Sequence, residues 1–158
     1  MAIALYLKVA GVDGESKDSN HESWIDVESF SWGATQPHAL DRGGGGGAGK
    51  ATFHDLSATV KIDKAYPTLL DKCAKGDHLD KIECHAVKAG GSSPLTYLKV
   101  ELNEVLVTNV SLTGSQGADV TASYSFQGSK LKTSFVPQSK SGGAGASVDK
   151  EWDIKASK

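Results

Sequence analysis

The sequence has few cysteines, no excess of basic residues and no long hydrophobic run. Its 158 residues include only Cys73 and Cys84, too few for a disulfide-stabilised scaffold. The 17 Lys and Arg are outnumbered by 19 Asp and Glu, so the chain lacks the positive charge that phosphate-backbone binding requires. No apolar run approaches the ~20 residues of a membrane-spanning helix. We therefore expect a soluble protein of one domain, residues 1–158, with no nucleic-acid partner and no membrane insertion.

The N-terminus has no basic segment ahead of its apolar residues, which alternate with other residues over too short a stretch to form a secretory signal. If the protein is exported, we expect export without a cleaved signal peptide. The two cysteines are accordingly expected to be reduced thiols, although a single buried disulfide remains an alternative.

The residue patterns of common catalytic and metal sites are also missing. The five histidines and two cysteines show no C-x2-C or H-x3-H spacing that would direct ligands to one metal ion. No Gly-x-Ser-x-Gly elbow is present, and the carboxylates Asp18 and Glu22 belong to a polar segment typical of a solvated loop. We predict no catalytic residue, no metal, no cofactor and no enzymatic activity.

Alternating hydrophobicity, the mark of half-buried strands, covers most of the chain. A mixed aromatic and β-branched stretch suggests one further strand, and a break in the alternation at Asn103 and Glu104 predicts a kink or bulge. The C-terminal Trp152 and Ile154 follow a flexible segment of about residues 137–148 and are expected to return to the sheet. The predicted strands are 3–9, 24–32, 56–62, 81–88, 95–102, 105–112, 120–126 and 131–136.

One helix is predicted, at Ala65–Lys75. Pro67 suits its first turn, Leu69, Leu70 and Cys73 lie on one stripe that anchors it to the sheet, and Gly76 suits a left-handed end. The strands and this helix together predict a mainly β fold, an antiparallel β-barrel or two-sheet sandwich with one short α-helix on its side.

A glycine-rich segment, DRGGGGGAGKAT at residues 41–52, contains the spacing of a phosphate-binding loop from Gly44 to Lys50. That loop needs an apolar strand before it, a helix after it, and a Ser or Thr next to the lysine to bind magnesium. Here Ala51 follows Lys50, the preceding residues are polar, and the following residues alternate like a strand. The segment, about residues 34–52, is either a flexible hairpin loop or a long arm that orders against a partner. Its length favours the arm.

Five collinear segments resemble the hemolysin-coregulated protein (Hcp) family, the tube subunit of bacterial type VI secretion. They are GESKDSNHESWIDVESFSWG at 14–33, GGGGGAGKATFHDLS at 43–57, IDKAYPTLLDKCAKGDH at 62–78, KAGG at 88–91 and LNEVLVTNV at 102–110. The resemblance implies a β-barrel that assembles into homohexameric rings, which stack into a tube in the cytoplasm and are then expelled through the type VI apparatus. It implies a spike protein, sheath and baseplate components as partners, and small effector proteins as cargo.

By the same analogy, ring stacking and subunit contact are expected to involve the arm between Gln36 and Lys50, and Ser31 is the candidate for facing the channel. Two alternatives stay open: a monomeric β-sandwich that binds a ligand, and a nucleotide-binding enzyme that uses Lys50. The expected contact residues of the arm are Gln36, Arg42, Gly43, Gly44, Gly45, Gly46, Gly47, Gly49 and Lys50.

Overall fold

A computed structural model describes residues 3–37, 51–88 and 93–158. More and less buried side chains alternate along several of its strands, as the sequence predicts, and one described helix packs beside the sheet. The elements are β1 (Ile3–Val9), β2 (Ile25–Val27), β3 (Ser29–Ser31), β4 (Ala34–Thr35), β5 (Thr52–Phe53), β6 (Leu56–Lys61), α1 (Ala65–Lys75), β7 (His78–Lys88), β8 (Leu95–Thr113), β9 (Thr121–Phe135) and β10 (Val148–Asp153).

The main sheet is antiparallel and curls into a nearly closed barrel, which confirms the predicted fold class. Its strand order is β2-β1-β7-β8-β9-β6-β3, with β10 added to one end of the long strand β9. Strands β2 and β3 follow one another in the chain with only Glu28 between them, yet β2 pairs with β1 and β3 pairs with β6. The two ends of the sheet are therefore joined covalently through this one segment, and the amide of Glu28 adds a 2.8 Å hydrogen bond to the carbonyl of Thr59.

The interior of the barrel is filled by the apolar side chains of six strands and one face of the helix. Burial of this apolar surface is the main force that closes the sheet. The largest fully buried side chains are Tyr124, Phe126, Leu7, Ile25, Leu56, Leu69, Ile82, Val9, Val60, Val105 and Cys84.

The single strand predicted at residues 24–32 is instead two short strands, so that prediction was wrong in its continuity. Each half has a different partner, and the chain changes partner at Glu28. The change of partner explains the mixed polarity of residues 24–32, because it also changes which side chains face the core. Similarly, the two strands predicted at 120–126 and 131–136 form the one strand β9.

The break in alternation at Asn103 and Glu104 marks a real irregularity within the continuous strand β8. Glu104 has a φ of 52°, in the left-handed region that a non-glycine residue seldom adopts. Glu104 pairs with no residue of β7 or β9. The residues before and after it, Asn103 and Val105, pair with both strands in the same register. The shift of register itself comes later, between Val107 and Asn109.

The helix and the C-terminal return agree with their predictions. Helix α1 covers Ala65–Lys75 and ends at Gly76, whose φ is 67°, with Leu69 fully buried against the barrel. Leu70 remains exposed, so of the leucine pair only Leu69 anchors the helix. At the C-terminus Trp152 pairs with Leu131, and Ile154 packs against the core just beyond β10.

Candidate functional site

Small uncharged polar side chains cover the outer face of the sheet where β3, β6, β9 and the distal part of β8 lie side by side. Cross-strand pairing aligns them in rows, of which the first contains Ser31, Ser57, Ser125 and Asn109. We call the complete set the small-polar face. Its residues are Ser29, Ser31, Ser57, Thr59, Asn109, Ser111, Thr113, Thr121, Ser123 and Ser125.

Strand alternation produces this face. Residues between the small polar ones point into the barrel, as Phe30, Ala58 and Tyr124 do, and the polar ones therefore point outward. The hydroxyl groups of Ser57 and Ser125 lie 2.9 Å apart and form a hydrogen bond across β6 and β9.

The electrostatics of the small-polar face are close to neutral. Lys61 stands at the end of one described row, and its ammonium group lies 3.3 Å from the carboxylate of Asp119. A hydroxyl group both donates and accepts hydrogen bonds, so such a surface binds water well without attracting charge of either sign.

Ser31, the residue expected to face a channel, is exposed on β3 and belongs to the small-polar face. The other members of this face were missed in the sequence. A signal for them exists, since Ser or Thr recurs at every second residue in Ser57 to Thr59 and in Thr121 to Ser125. Only the strand register reveals that these separate stretches form one surface.

The predicted arm begins and ends in a small ladder outside the main sheet. Strand β4 pairs with β5, and the amide of His54 donates a 2.8 Å hydrogen bond to the carbonyl of Gly33. Gln36, the first of the predicted contact residues, is exposed just beyond this ladder. The others lie outside the described residues: Arg42, Gly43, Gly44, Gly45, Gly46, Gly47, Gly49 and Lys50.

The structure after the glycines is a strand, as expected, and not the helix that a phosphate-binding loop requires. Thr52 and Phe53 form β5 and Leu56–Lys61 forms β6, so the first described elements after Lys50 are strands, and the helix α1 begins only at Ala65.

Several strand edges remain unpaired among the described residues, and two of them, on β10 and on the distal part of β8, lie beside exposed apolar side chains. The outer edge of β10 has no partner, because β10 pairs with β9 alone. The distal part of β8, Asn109 to Thr113, pairs with β9 on one side, while β7 reaches only as far as Leu106 on the other. Unpaired edges present free backbone N–H and C=O groups, which bind a further strand readily.

Cys73 and Cys84 are both free thiols. Burial of Cys84 in the core raises the pKa of its thiol to about 12, so it stays protonated and unreactive at neutral pH. Over the described ranges, no three His, Cys, Asp or Glu side chains come together in a way that could hold a metal ion. Likewise, no helix in this part of the chain is both long and apolar enough to cross a membrane.

Comparison with known proteins places the chain in one family. Residues 6–134 match the family described as "Type VI secretion system effector, Hcp". Protein hcp1 of Pseudomonas aeruginosa is 40% identical over 157 residues, which cover 98% of this chain and 97% of that protein. The crystal structure of Hcp1 from Salmonella typhimurium superimposes with a TM-score of 0.83 at 31% identity, covering 100% of this chain and 99% of that one.

A second solved structure, described as that of a type six secretion system protein, superimposes with a TM-score of 0.93 at 27% identity and covers 99% of both chains. The agreement therefore extends over nearly the whole length in both sequence and structure. The chain belongs to the Hcp family of type VI secretion proteins.

Proposed function

We propose that this protein is a tube subunit that closes into a homohexameric ring, stacks ring upon ring, and carries small effector proteins in the channel. It does so without catalysis. The cytoplasm is the place of assembly, and the finished tube leaves the cell through the type VI apparatus, with the spike, sheath and baseplate as further partners. Membership of the Hcp family, a structural secretion family, supports this proposal.

The observation that carries the ring is that the unpaired edges of β10 and of the distal part of β8 both lie beside exposed apolar side chains. A ring of identical subunits needs two different surfaces that fit each other, because each contact is head to tail. The β10 edge exposes Val148 and Trp152, and the distal edge of β8 exposes Leu112. Each edge offers backbone hydrogen bonds next to an apolar side chain, the combination by which one chain adds a strand to another.

Stacking of rings is assigned to the arm. Its two described ends, at Thr35 and Thr52, are held together by the β4–β5 ladder. Glycine adds no side-chain bulk, which allows close approach to a neighbouring backbone. Arg42 and Lys50, at the two ends of the glycine run, can pair with carboxylates of the next ring. Gln36, Gly43, Gly44, Gly45, Gly46, Gly47 and Gly49 complete the proposed contact.

The channel wall is assigned to the small-polar face, with Ser31 as one member. A neutral surface of short hydroxyl side chains holds a folded cargo weakly, which lets the cargo leave when the tube is delivered. Long charged or apolar side chains would bind cargo more tightly and more selectively.

Native mass spectrometry with negative-stain electron microscopy tests the ring. The wild-type protein should give six-subunit rings, and Val148→Glu should give monomers, since it places a charge on the exposed apolar side of the β10 edge. Leu70→Glu, a matched change of an exposed apolar residue on α1 and on neither edge, should leave rings intact. Wild-type monomers at micromolar concentration would disprove the proposal.

Deletion of Gly43–Gly47 tests stacking separately. The variant should form rings but not filaments, because the barrel does not depend on these residues while the proposed axial contact does. Filaments of normal length in the deletion variant would contradict the role assigned to the arm.

Cargo retention tests the channel wall. Ser31→Lys and Ser123→Lys place long charged side chains on the small-polar face, so their rings should retain more effector than wild-type rings in native mass spectrometry. Ser115→Lys, in the turn between β8 and β9, is the matched control and should retain cargo normally. Equal retention by all three variants would show that cargo does not contact this face.

A further inference from the structure

A pair of buried histidines lies on the opposite side of the barrel, between the sheet and the loop of residues 13–24. His21 belongs to the loop and His85 to β7, and their residues are 3% and 9% exposed. The ring of His21 stacks on Tyr6 of β1 at a centroid distance of 4.4 Å. The ring of Trp24 contacts both imidazoles, with centroid distances of 4.7 Å to His21 and 4.5 Å to His85.

The two imidazoles form the middle of a line of polar contacts with a carboxylate at each end. Nδ1 of His21 lies 2.8 Å from Oδ2 of Asp18, and Nε2 of His21 lies 3.0 Å from Nδ1 of His85. Nε2 of His85 lies 3.2 Å from Oε2 of Glu83. All four ring nitrogens therefore have a polar neighbour within the described chain.

Counting protons along this line gives a definite result. An ionised carboxylate only accepts hydrogen bonds, so the nitrogens that face Asp18 and Glu83 must each carry a proton. The contact between Nε2 of His21 and Nδ1 of His85 needs one proton, because one nitrogen must donate and the other must accept. The line is therefore satisfied by three protons on four nitrogens, one more than two neutral imidazoles hold.

We propose that His21 and His85 share one positive charge, and that this shared proton latches the loop of residues 13–24 to the barrel. With only two protons on the four ring nitrogens, one of the three hydrogen bonds of the line is lost. With four, two N–H groups face each other across 3.0 Å, and two buried positive charges lie side by side. Loss of the third proton or gain of a fourth releases the loop, and acidification causes the gain.

The electrostatic surroundings favour a single charge. Contacts with His85 and then Lys81 hold the pKa of Glu83 at about 2 despite its partial burial, and a hydrogen bond from His21 lowers the pKa of Asp18. Both carboxylates are therefore ionised at pH 7 and act as hydrogen-bond acceptors towards the imidazoles. The charged and titratable groups around the pair are Asp18 of the loop, Tyr6 and Lys8 of β1, Asp26 of β2, Lys81 and Glu83 of β7, and Lys99 and Glu101 of β8.

The backbone of the loop provides the readout. Within the loop, the amides of Ser16, Ser23 and Trp24 donate hydrogen bonds of 2.9 to 3.1 Å to carbonyls of the same loop. These bonds should protect the three amides from hydrogen exchange while the loop is docked and lose protection when it opens.

Nitrogen-15 NMR of the imidazoles, together with amide exchange, tests the proposal on the full chain. At pH 7 the pair should show three protonated nitrogens, with the exposed His78 as an internal reference. On acidification towards pH 4, uptake of the fourth proton should coincide with an increase of at least tenfold in exchange at Ser16, Ser23 and Trp24, after correction for intrinsic rates. Two protonated nitrogens at pH 7, or a fourth proton gained with exchange unchanged, would overturn the proposal.

A conservative variant gives an independent test. Glu83→Gln removes one of the two anions and should leave only two protons on the pair at pH 7, with the loop amides exchanging at least tenfold faster. Glu101→Gln is the matched control, because Glu101 contacts Lys81 at 3.4 Å and neither histidine. Three protons retained in Glu83→Gln, or two protons in Glu101→Gln, would show that Glu83 does not hold the proton.

Discussion

The outer surface of this barrel has two regions with opposite chemistry. Over β1 and β7 the sheet presents Tyr6 and His85, and the loop of residues 13–24 covers them with His21 and Trp24. Over β3, β6, β9 and the distal part of β8 the sheet presents the small-polar face, and no described segment covers it. The same strand alternation builds both surfaces, and the difference lies only in which side chains point outward.

This contrast separates a surface on which folding should depend from one on which it should not. Aromatic rings and buried ionisable groups on the covered region require specific partners, so a change there should disturb folding. Short hydroxyl groups on the bare region satisfy themselves with water, so a change there should leave folding intact. Four expected outcomes test this contrast, from the largest effect on stability to the smallest.

The substitution Gly14→Ala should destabilise the covered region most. A Cβ atom at residue 14 would lie 2.7 Å from the carbonyl carbon of Trp24 and 2.8 Å from Cα of Ile25, neither of which can move freely. We expect a loss of about 3 kcal/mol in the free energy of unfolding, measured by urea titration. Gly33→Ala is the control, because a Cβ there meets only the ring of His54 at 3.8 Å, and it should change little. Equal effects of the two variants would contradict the close packing of this loop.

Replacing Glu83 with Gln should cost about 2 kcal/mol at pH 7, as expected for hydrogen bonds to a charged group. The folded-state pKa of Glu83 is about 2, below its ordinary value of 4.5. Its contribution is therefore fully present above pH 4.5 and is lost as the pH falls towards 2. Urea titrations of both proteins between pH 2 and 7 should show their difference shrinking over this range. A difference that is constant with pH would refute the assignment.

Tyr124→Phe should increase stability by about 1 kcal/mol, the cost of a buried hydroxyl group that lacks a partner. The hydroxyl oxygen of Tyr124 is buried without a hydrogen-bond partner among the described residues. Burial, followed by the nearby Asp63 and Tyr66, raises the pKa of this phenol. Thermal unfolding of the variant beside Tyr97→Phe, a half-buried tyrosine, measures the effect. A lower melting temperature for Tyr124→Phe would show that its hydroxyl group does have a partner.

Alanine at Ser31, Ser57 or Ser123 should have the smallest effect, about 0.5 kcal/mol or less each, because these positions are solvated. Only Ser57 loses a side-chain hydrogen bond, the one it makes with Ser125. Differential scanning calorimetry of the three variants gives the measurement. A loss above 2 kcal/mol at any of them would mean that the small-polar face is part of the folding core.

Local patterns in the sequence were enough to predict the elements whose limits are set by their own residues. Helix α1 was predicted at its observed limits because Pro67, the apolar stripe and Gly76 are all local signals. Strand β1 was likewise predicted at its limits from alternation alone. The segment of β2 and β3 was not, because its break at Glu28 depends on which distant strands lie on either side.

The residues of the candidate surfaces likewise divide into those that the sequence could identify and those that it could not. Ser31 could be chosen from the sequence as a small polar residue between Phe30 and Trp32. It is exposed on β3, and its place in a channel stays a prediction. Its neighbours Ser57 and Ser125 could not be chosen in this way, since they are joined to it only by the register of β3, β6 and β9. The proposed contact residues of the arm, from Arg42 to Lys50, stay a prediction.

The sequence by itself determined the mainly β character, the helix α1 and the family, because alternation, capping residues and collinear motifs are properties of neighbouring residues. Only the tertiary structure decided where the barrel closes, which edges stay unpaired, and that His21 meets His85 across 64 positions of chain. The physical reason is that cross-strand register and side-chain burial depend on contacts between distant segments, and no local pattern encodes those contacts.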